Sequence, residues 1–315
     1  MNPYIIALAV TLAVMLAAVL IISYVCYYMA FRRQRADKND FFDFEEGTLA
    51  PYKEDIRTGT ENLNAHPSER VYTTAKDGTR LAAEFYPVEG ADITEIQFHG
   101  YRSGAKRDFA CGGYEAILKK HNLLLVDQRA HGESGGKSIS FGVLECNDCL
   151  SWIDYLNKRI GTDTDILLFG VSMGAATVLM ASDMIEAKNV RCIVADCSYS
   201  SPEAIIRRVI SDMRLPEKIA FPFVRLGGLI FGGFDICAKT PIDAVKSTKI
   251  PTLIIHGEAD SFVPCDMSRE IFSSLASPKR ELLTIPGADH GISYLVAKEK
   301  YLTTVKEFTA AAKEN

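Results

Sequence analysis

A serine hydroxyl becomes a useful nucleophile only when a base takes its proton. An imidazole serves as that base only when a carboxylate fixes its tautomer and stabilises its cation. This sequence places one of each after an apolar run. Ser172 sits in Gly170-Val171-Ser172-Met173-Gly174, between the short apolar run 166–169 and an alanine-rich, helix-favouring segment. Glycines two before and two after the serine remove Cβ atoms that would collide if strand and helix met at so tight a turn. Asp260 follows the apolar run 252–255, within H-G-E-A-D-S-F-V-P, and His290 follows the run 281–285, within P-G-A-D-H-G. The chain order is therefore nucleophile, acid, base. Asp196, after the run 190–195, is the rival acid. Of the other histidines, His66 and His121 read as surface or hydrogen-bonded residues, and His256 as a local partner at a strand end.

Acyl transfer through Ser172 also needs donors for the developing oxyanion. The backbone N–H groups of Met173 and of Tyr101, which follows His99-Gly100, are the candidates. The segment reads F-H-G-Y-R-S-G rather than H-G-G-G, so the tyrosine is expected to bring a ring into the acyl site. This chemistry requires no metal and no organic cofactor. Cys146 and Cys149 form a single C-x-x-C inside an expected helix, and one pair cannot complete a zinc site. Gly112-Gly113 lacks the lysine and spacing of a phosphate loop.

The elements that must position these residues alternate. Strands are expected at 71–74 and 81–86, joined by a hairpin at Lys76-Asp77-Gly78, and at 93–98. Helices near 108–120, 143–159 and from 172 then alternate with strands at 123–126, 166–169 and 190–195, which indicates parallel crossovers. Residues 198–248 break the rhythm with four prolines and four glycines in a helical pattern, as expected of a cap inserted above the sheet. The apolar run 221–234 within it could line a substrate pocket, dip towards lipid or pack on the sheet, the last being the plain expectation. Strands 252–255 and 281–285, with helices 266–275 and 291–312, complete the pattern.

The net charge of −5 leaves no electrostatic footprint for nucleic acid. Residues 4–31 carry no charged side chain, which is long enough to cross a bilayer. Tyr24, Tyr27, Tyr28 and Phe31 cluster at the far end, where interfacial aromatics belong. No basic region precedes the run and it outlasts a signal-peptide core, so a retained anchor is expected rather than a cleaved signal. Arg32, Arg33, Arg35 and Lys38 follow the span, which by the positive-inside rule puts the following domain in the cytoplasm. The seven cysteines outside the span have no disulfide-framework spacing. The expected division is a membrane anchor with basic flank (1–35), a linker with one short helix (36–69) and a globular domain (70–315).

The motifs F-H-G-Y at 98–101, D-Q-R-A-H-G-E-S at 127–134, G-V-S-M-G at 170–174, H-G-E-A-D-S-F-V-P at 256–264 and G-A-D-H-G at 287–291 together resemble the α/β-hydrolase superfamily, in particular its bacterial, membrane-anchored esterase-like members. The resemblance implies a mostly parallel central sheet with helices on both faces and a small helical cap, here preceded by one transmembrane helix. It implies hydrolysis of a small-molecule or lipid-like ester by Ser172, His290 and Asp260, with Tyr101 and Met173 as oxyanion donors. Asp127, Arg129 and His131 are similar to a segment that shapes the site floor. Amide or thioester substrates, for a peptidase or acyltransferase, are open alternatives because fold and residues would be shared. A non-enzymatic binding protein on the same scaffold is a more distant one. Acyl chain length and oligomeric state are not readable from these residues.

Overall fold

The computed structural model describes residues 2–34 and 47–312. Arg35 and Lys38 of the basic flank, and residues 36–46 of the expected linker, lie outside the described residues. The elements in chain order are α1 (Pro3–Ala30), α2 (Lys53–Asn64), β1 (Glu69–Thr74), β2 (Arg80–Tyr86), β3 (Ile93–Phe98), α3 (Ala105–Leu118), β4 (Asn122–Asp127), α4 (Glu145–Ile160), β5 (Asp165–Val171), α5 (Met173–Ala181) and β6 (Val190–Asp196). They continue with α6 (Pro202–Asp212), α7 (Glu217–Gly227), α8 (Pro241–Ala244), β7 (Thr252–Gly257), α9 (Cys265–Ser274), β8 (Arg280–Ile285), α10 (Ser293–Val296) and α11 (Lys298–Ala312).

The strands form one eight-stranded sheet in the order β1-β2-β4-β3-β5-β6-β7-β8. β1 pairs β2 and β2 pairs β4 antiparallel; all later pairs are parallel. The central strands read as continuous apolar runs because helices cover both faces. In β5, Ile166 and Leu168 join the core under α4, α5 and α9, while Leu167 and Phe169 join the core under α3 and α11. β6 and β7 divide in the same way, Ile193 and Ile254 to one side, Val194 and Ile255 to the other, as the period of two requires. The expected hairpin closes with Gly78 at φ +84° and Asp77 Oδ1 accepting from Thr79 N at 3.0 Å.

Some boundaries moved. The helix after Ser172 stops at Ala181, and the final expected helix is broken into α10 and α11. α2 does not hang free: a Cβ on Gly59 would lie 2.9 Å from the Ala110 carbonyl carbon of α3, so glycine lets the two backbones touch.

α1 is long and apolar enough to cross a membrane. Its last turns pack on the globular part rather than standing apart. Ser23, Tyr27 and Phe31 are buried, and Tyr27 and Phe31 belong to the main core. The Ser23 carbonyl oxygen would sit 2.4 Å from a Cβ on Gly227, so a small residue on α7 permits close approach. Beyond the helix, Ile139 N donates to Phe31 O at 2.7 Å, and the Arg33 guanidinium donates to the Ser134 and Gly132 carbonyls, each at 2.6 Å.

Candidate active site

The site is built where β5 ends. Ser172 occupies φ 55°, ψ −115°, a strained conformation for a non-glycine residue, between β5 and the first residue of α5. The turn is tight enough that a Cβ on Gly170 would meet the Gly174 carbonyl at 2.3 Å. One on Gly174 would lie 1.8 Å from Phe98 O, in the neighbouring strand β3. Since backbone cannot yield as a side chain can, Gly174→Ala is expected to destabilise the fold by about 3 kcal/mol or more, read as a lowered urea midpoint. An unchanged midpoint would show that the turn tolerates a Cβ.

Three loops at the carboxyl ends of β5, β7 and β8 bring the expected residues together. His290 Nε2 lies 2.9 Å from Ser172 Oγ, and His290 Nδ1 lies 2.7 Å from Asp260 Oδ2. The second carboxylate oxygen, Oδ1, accepts from Phe262 N at 3.0 Å and Val263 N at 2.7 Å. Burial alone would raise the Asp260 pKa. Hydrogen bonds from His256 and His290 and the backbone N–H groups outweigh it and hold the carboxyl down at about 2. His256, near the end of β7, has local partners as expected: its ring sits 3.2 Å from Asp260 Oδ2 and bridges Ser268 Oγ and Val263 O.

Asp196 sits apart from this chain of hydrogen bonds. Its carboxylate accepts from Ser293 Oγ at 3.1 Å, and its backbone carbonyl accepts from Ser172 N at 2.9 Å. Burial pushes its pKa up to about 6.

The loop after β3 lies against the serine, with a Gly100 Cβ position 3.5 Å from Ser172 Cβ. Its shape is held by Asp108, which the sequence did not signal, and by His131, which belongs to the segment expected to shape the site floor. Asp108, in the first turn of α3, accepts from Gly100 N at 2.7 Å and from Ser103 Oγ. His131 donates from Nδ1 to the Arg129 carbonyl at 2.9 Å, leaving Nε2 to accept from Arg102 N at 3.0 Å. Burial, with His99 nearby, holds its pKa down at about 3, so the ring is neutral as this pattern requires. His99 repeats the device, with Nδ1 on Gly100 O at 2.7 Å and Nε2 accepting from Gln128 N at 3.2 Å. The resemblance marks His131 as part of a floor-shaping segment, and the folded loop shows which backbone N–H it holds. Tyr101 N and Met173 N, the first N–H of α5, flank Ser172 without a hydrogen-bond acceptor among the described residues.

The Tyr101 side chain also has a partner that the sequence did not indicate. It lines the cavity, but its ring lies 4.8 Å from that of Phe141 and its hydroxyl donates to Ala30 O, at the end of α1, at 2.7 Å. The reason is that α1 returns to the domain and presents an unsatisfied terminal carbonyl.

A cavity of about 440 Å³ opens at Ser172 and His290 and runs between α3 and α11, past Phe109, Phe169, Tyr294 and Val305. Its walls are largely apolar in surface, though Glu95, Gln97, Arg107, Glu115 and Lys119 are also among the lining residues. No residue of 198–248 lines it. The apolar run of the cap divides instead: Phe221, Val224 and Phe234 enter the core, and Leu229, Ile230 and Phe231 are exposed. Cys197, Asp260 and His290 could together offer three metal-ligand atoms. Burial pushes the Cys197 thiol well up, and the other two are engaged with each other and with Ser172, so the set is poorly suited to hold an ion.

No family model matches the chain. Uncharacterized protein YqkD of Bacillus subtilis is 28% identical over 188 residues, covering 59% of this chain and 61% of that protein, under two thirds of its length. Uncharacterized protein YfhR of Escherichia coli K12 is 28% identical over 231 residues, covering 71% of this chain and 73% of that one. Among solved structures, the Pyrococcus furiosus esterase Pf2001 superposes with a TM-score of 0.66 at 24% identity, over 90% of this chain and 98% of the esterase. With its strand order, its helices on both faces and the sharp turn at Ser172, the chain has the α/β-hydrolase fold.

Proposed function

We propose that this protein is a membrane-anchored serine hydrolase that cleaves carboxylic esters. The observation that carries the reading is the unbroken series Asp260–His290–Ser172, at 2.7 and 2.9 Å, beside two free N–H groups. Ser172 Oγ attacks the ester carbonyl while His290 Nε2 takes its proton, and ionised Asp260 keeps the Nδ1–H tautomer and stabilises the imidazolium. Tyr101 N–H and Met173 N–H receive the oxyanion. His290 returns the proton to the departing alkoxide, leaving an acyl-enzyme. It then activates water to release the acid. The largely apolar cavity supports an acyl group of some length, and the end of α1, bonded to Tyr101 and Arg102 of its wall, supports a lipid-like ester. Arg32 and Arg33 after α1 favour a cytoplasmic position for the domain.

The test uses the full chain in detergent micelles. A fluorophosphonate probe is expected to label Ser172, and p-nitrophenyl esters from acetate to decanoate to be turned over; a folded protein that does neither overturns the reading. Resistance to alkaline carbonate extraction tests the anchor. Impermeant thiol labelling of the half-buried Cys111 and Cys237 in whole cells tests orientation, since surface labelling would place the domain outside.

A further inference from the structure

The outward face of the cap carries an apolar stripe that is largely uncovered among the described residues. On α7 and the turn that continues it, Ile219, Pro222, Leu226 and Ile230 recur at spacings of three and four and so share one face. Ile219 is 64% exposed, Ile230 49% and the adjoining Leu229 45%. The opposite face of the same helix, Phe221, Val224 and Gly227, is buried in the domain. A helix apolar on both faces has a second apolar environment to meet.

The position of α1 identifies that environment. A helix of 28 residues is about 42 Å long, against a hydrocarbon core of about 30 Å. The first protein-buried position on α1 is Ser23, so residues 3–22 match the length of a span and the last turns lie beyond it. The bilayer boundary then falls near Tyr24, an interfacial residue type. Tyr24 meets Phe231 edge-on at 5.1 Å, and Gly227 abuts Ser23. The turn carrying Leu229, Ile230 and Phe231 is therefore held at the depth where the span ends.

We infer that this apolar edge of the cap, centred on Leu229 and Ile230, docks into the lipid bilayer beside α1. It is a second membrane contact that presses the domain onto the surface. The inference rests on α1 being a membrane anchor. It also places the cavity near the lipid: Tyr101 and Arg102, in the cavity wall, hold the carbonyls of Ala30 and Met29 at the end of α1.

The experiment uses the full chain in phosphatidylcholine vesicles with and without brominated acyl chains, which quench tryptophan within the hydrocarbon. The one native tryptophan, Trp152, is fully buried and gives an unquenched background. Ile230→Trp is expected to be quenched. Leu118→Trp, an exposed position at the end of α3 remote from α1, is not. In parallel, the Leu229→Glu, Ile230→Glu double variant is expected to lose about tenfold in turnover of p-nitrophenyl decanoate carried in the vesicles, with turnover of soluble p-nitrophenyl acetate unchanged. An unquenched Ile230→Trp in protein that resists carbonate extraction overturns the docking and leaves the anchor standing. An unquenched residue that sizes with a dimer assigns the face to a second copy and equally overturns it. Release by carbonate removes anchor and docking together. None of these outcomes touches the hydrolase reading, which fluorophosphonate labelling decides.

Discussion

Ser172→Ala is expected to abolish fluorophosphonate labelling and to lower kcat for p-nitrophenyl esters by about 10⁴ to 10⁶-fold, about 5.5 to 8 kcal/mol of transition-state stabilisation. The size follows from the geometry. Among the described residues Ser172 Oγ makes one hydrogen bond, to His290 Nε2, and no other group in the cavity stands in the same relation to both His290 and the free N–H pair. The remaining activity would come from the oxyanion donors and from binding alone. KM should change little, because the apolar walls formed by Phe109, Phe169 and Val305 are untouched. Stability should also hold, since alanine meets the same backbone strain at φ 55° and only one partly exposed hydrogen bond is lost. A variant that keeps labelling would move the nucleophile elsewhere in the chain and remove the proposed mechanism.

The second large effect separates two aspartates that follow neighbouring strands. Asp260→Asn is expected to lower kcat by about 10⁴-fold. The amide can keep the bonds from Phe262 N and Val263 N on its oxygen, but then offers an N–H to His290 Nδ1, forcing the wrong tautomer. Asp196→Asn should change kcat by less than about tenfold, because its carboxylate meets Ser293 and no histidine nitrogen. The two variants also differ in stability against pH. Asp260 is held at about 2, below an ordinary aspartate, so it stabilises the fold above pH 4 and that contribution is lost as pH falls towards 2. Asp196 is raised to about 6 by burial, so the fold favours its neutral form and loses stability as pH rises from about 4 through 6. Asp196→Asn should therefore be more stable than the parent at pH 8, by about 3 kcal/mol, and close to it at pH 4. Urea midpoints at both values check the sign. Loss of activity in Asp196→Asn with retention in Asp260→Asn would exchange the two assignments.

Much of this protein was legible before folding, and for local reasons. Runs 166–169, 192–195 and 253–255 are apolar without alternation because both faces of those strands are covered. Such runs read as buried parallel strands wherever they occur. The turn at Gly170–Gly174 declares itself because the steric demand on its glycines is set within five residues and one neighbouring strand. A 28-residue uncharged stretch is a property of composition alone, and so is the charge after it. The placing of Asp260 and His290 after their strands follows from the same alternation.

What only the tertiary structure decided involves groups brought together from distant parts of the chain. Which aspartate faces His290 depends on loops 30 residues apart meeting at 2.7 Å, and both strand ends carry the same residue type. The clasp of Asp108 and His131 on the loop after β3 joins segments with no shared pattern. Tyr101 turns towards α1, and the cap turns its apolar edge outward beside the same helix, because α1 comes back to the domain and supplies a terminal carbonyl and a groove for Gly227. Periodicity says that a face is apolar, but what covers it is settled by the elements that pack around it.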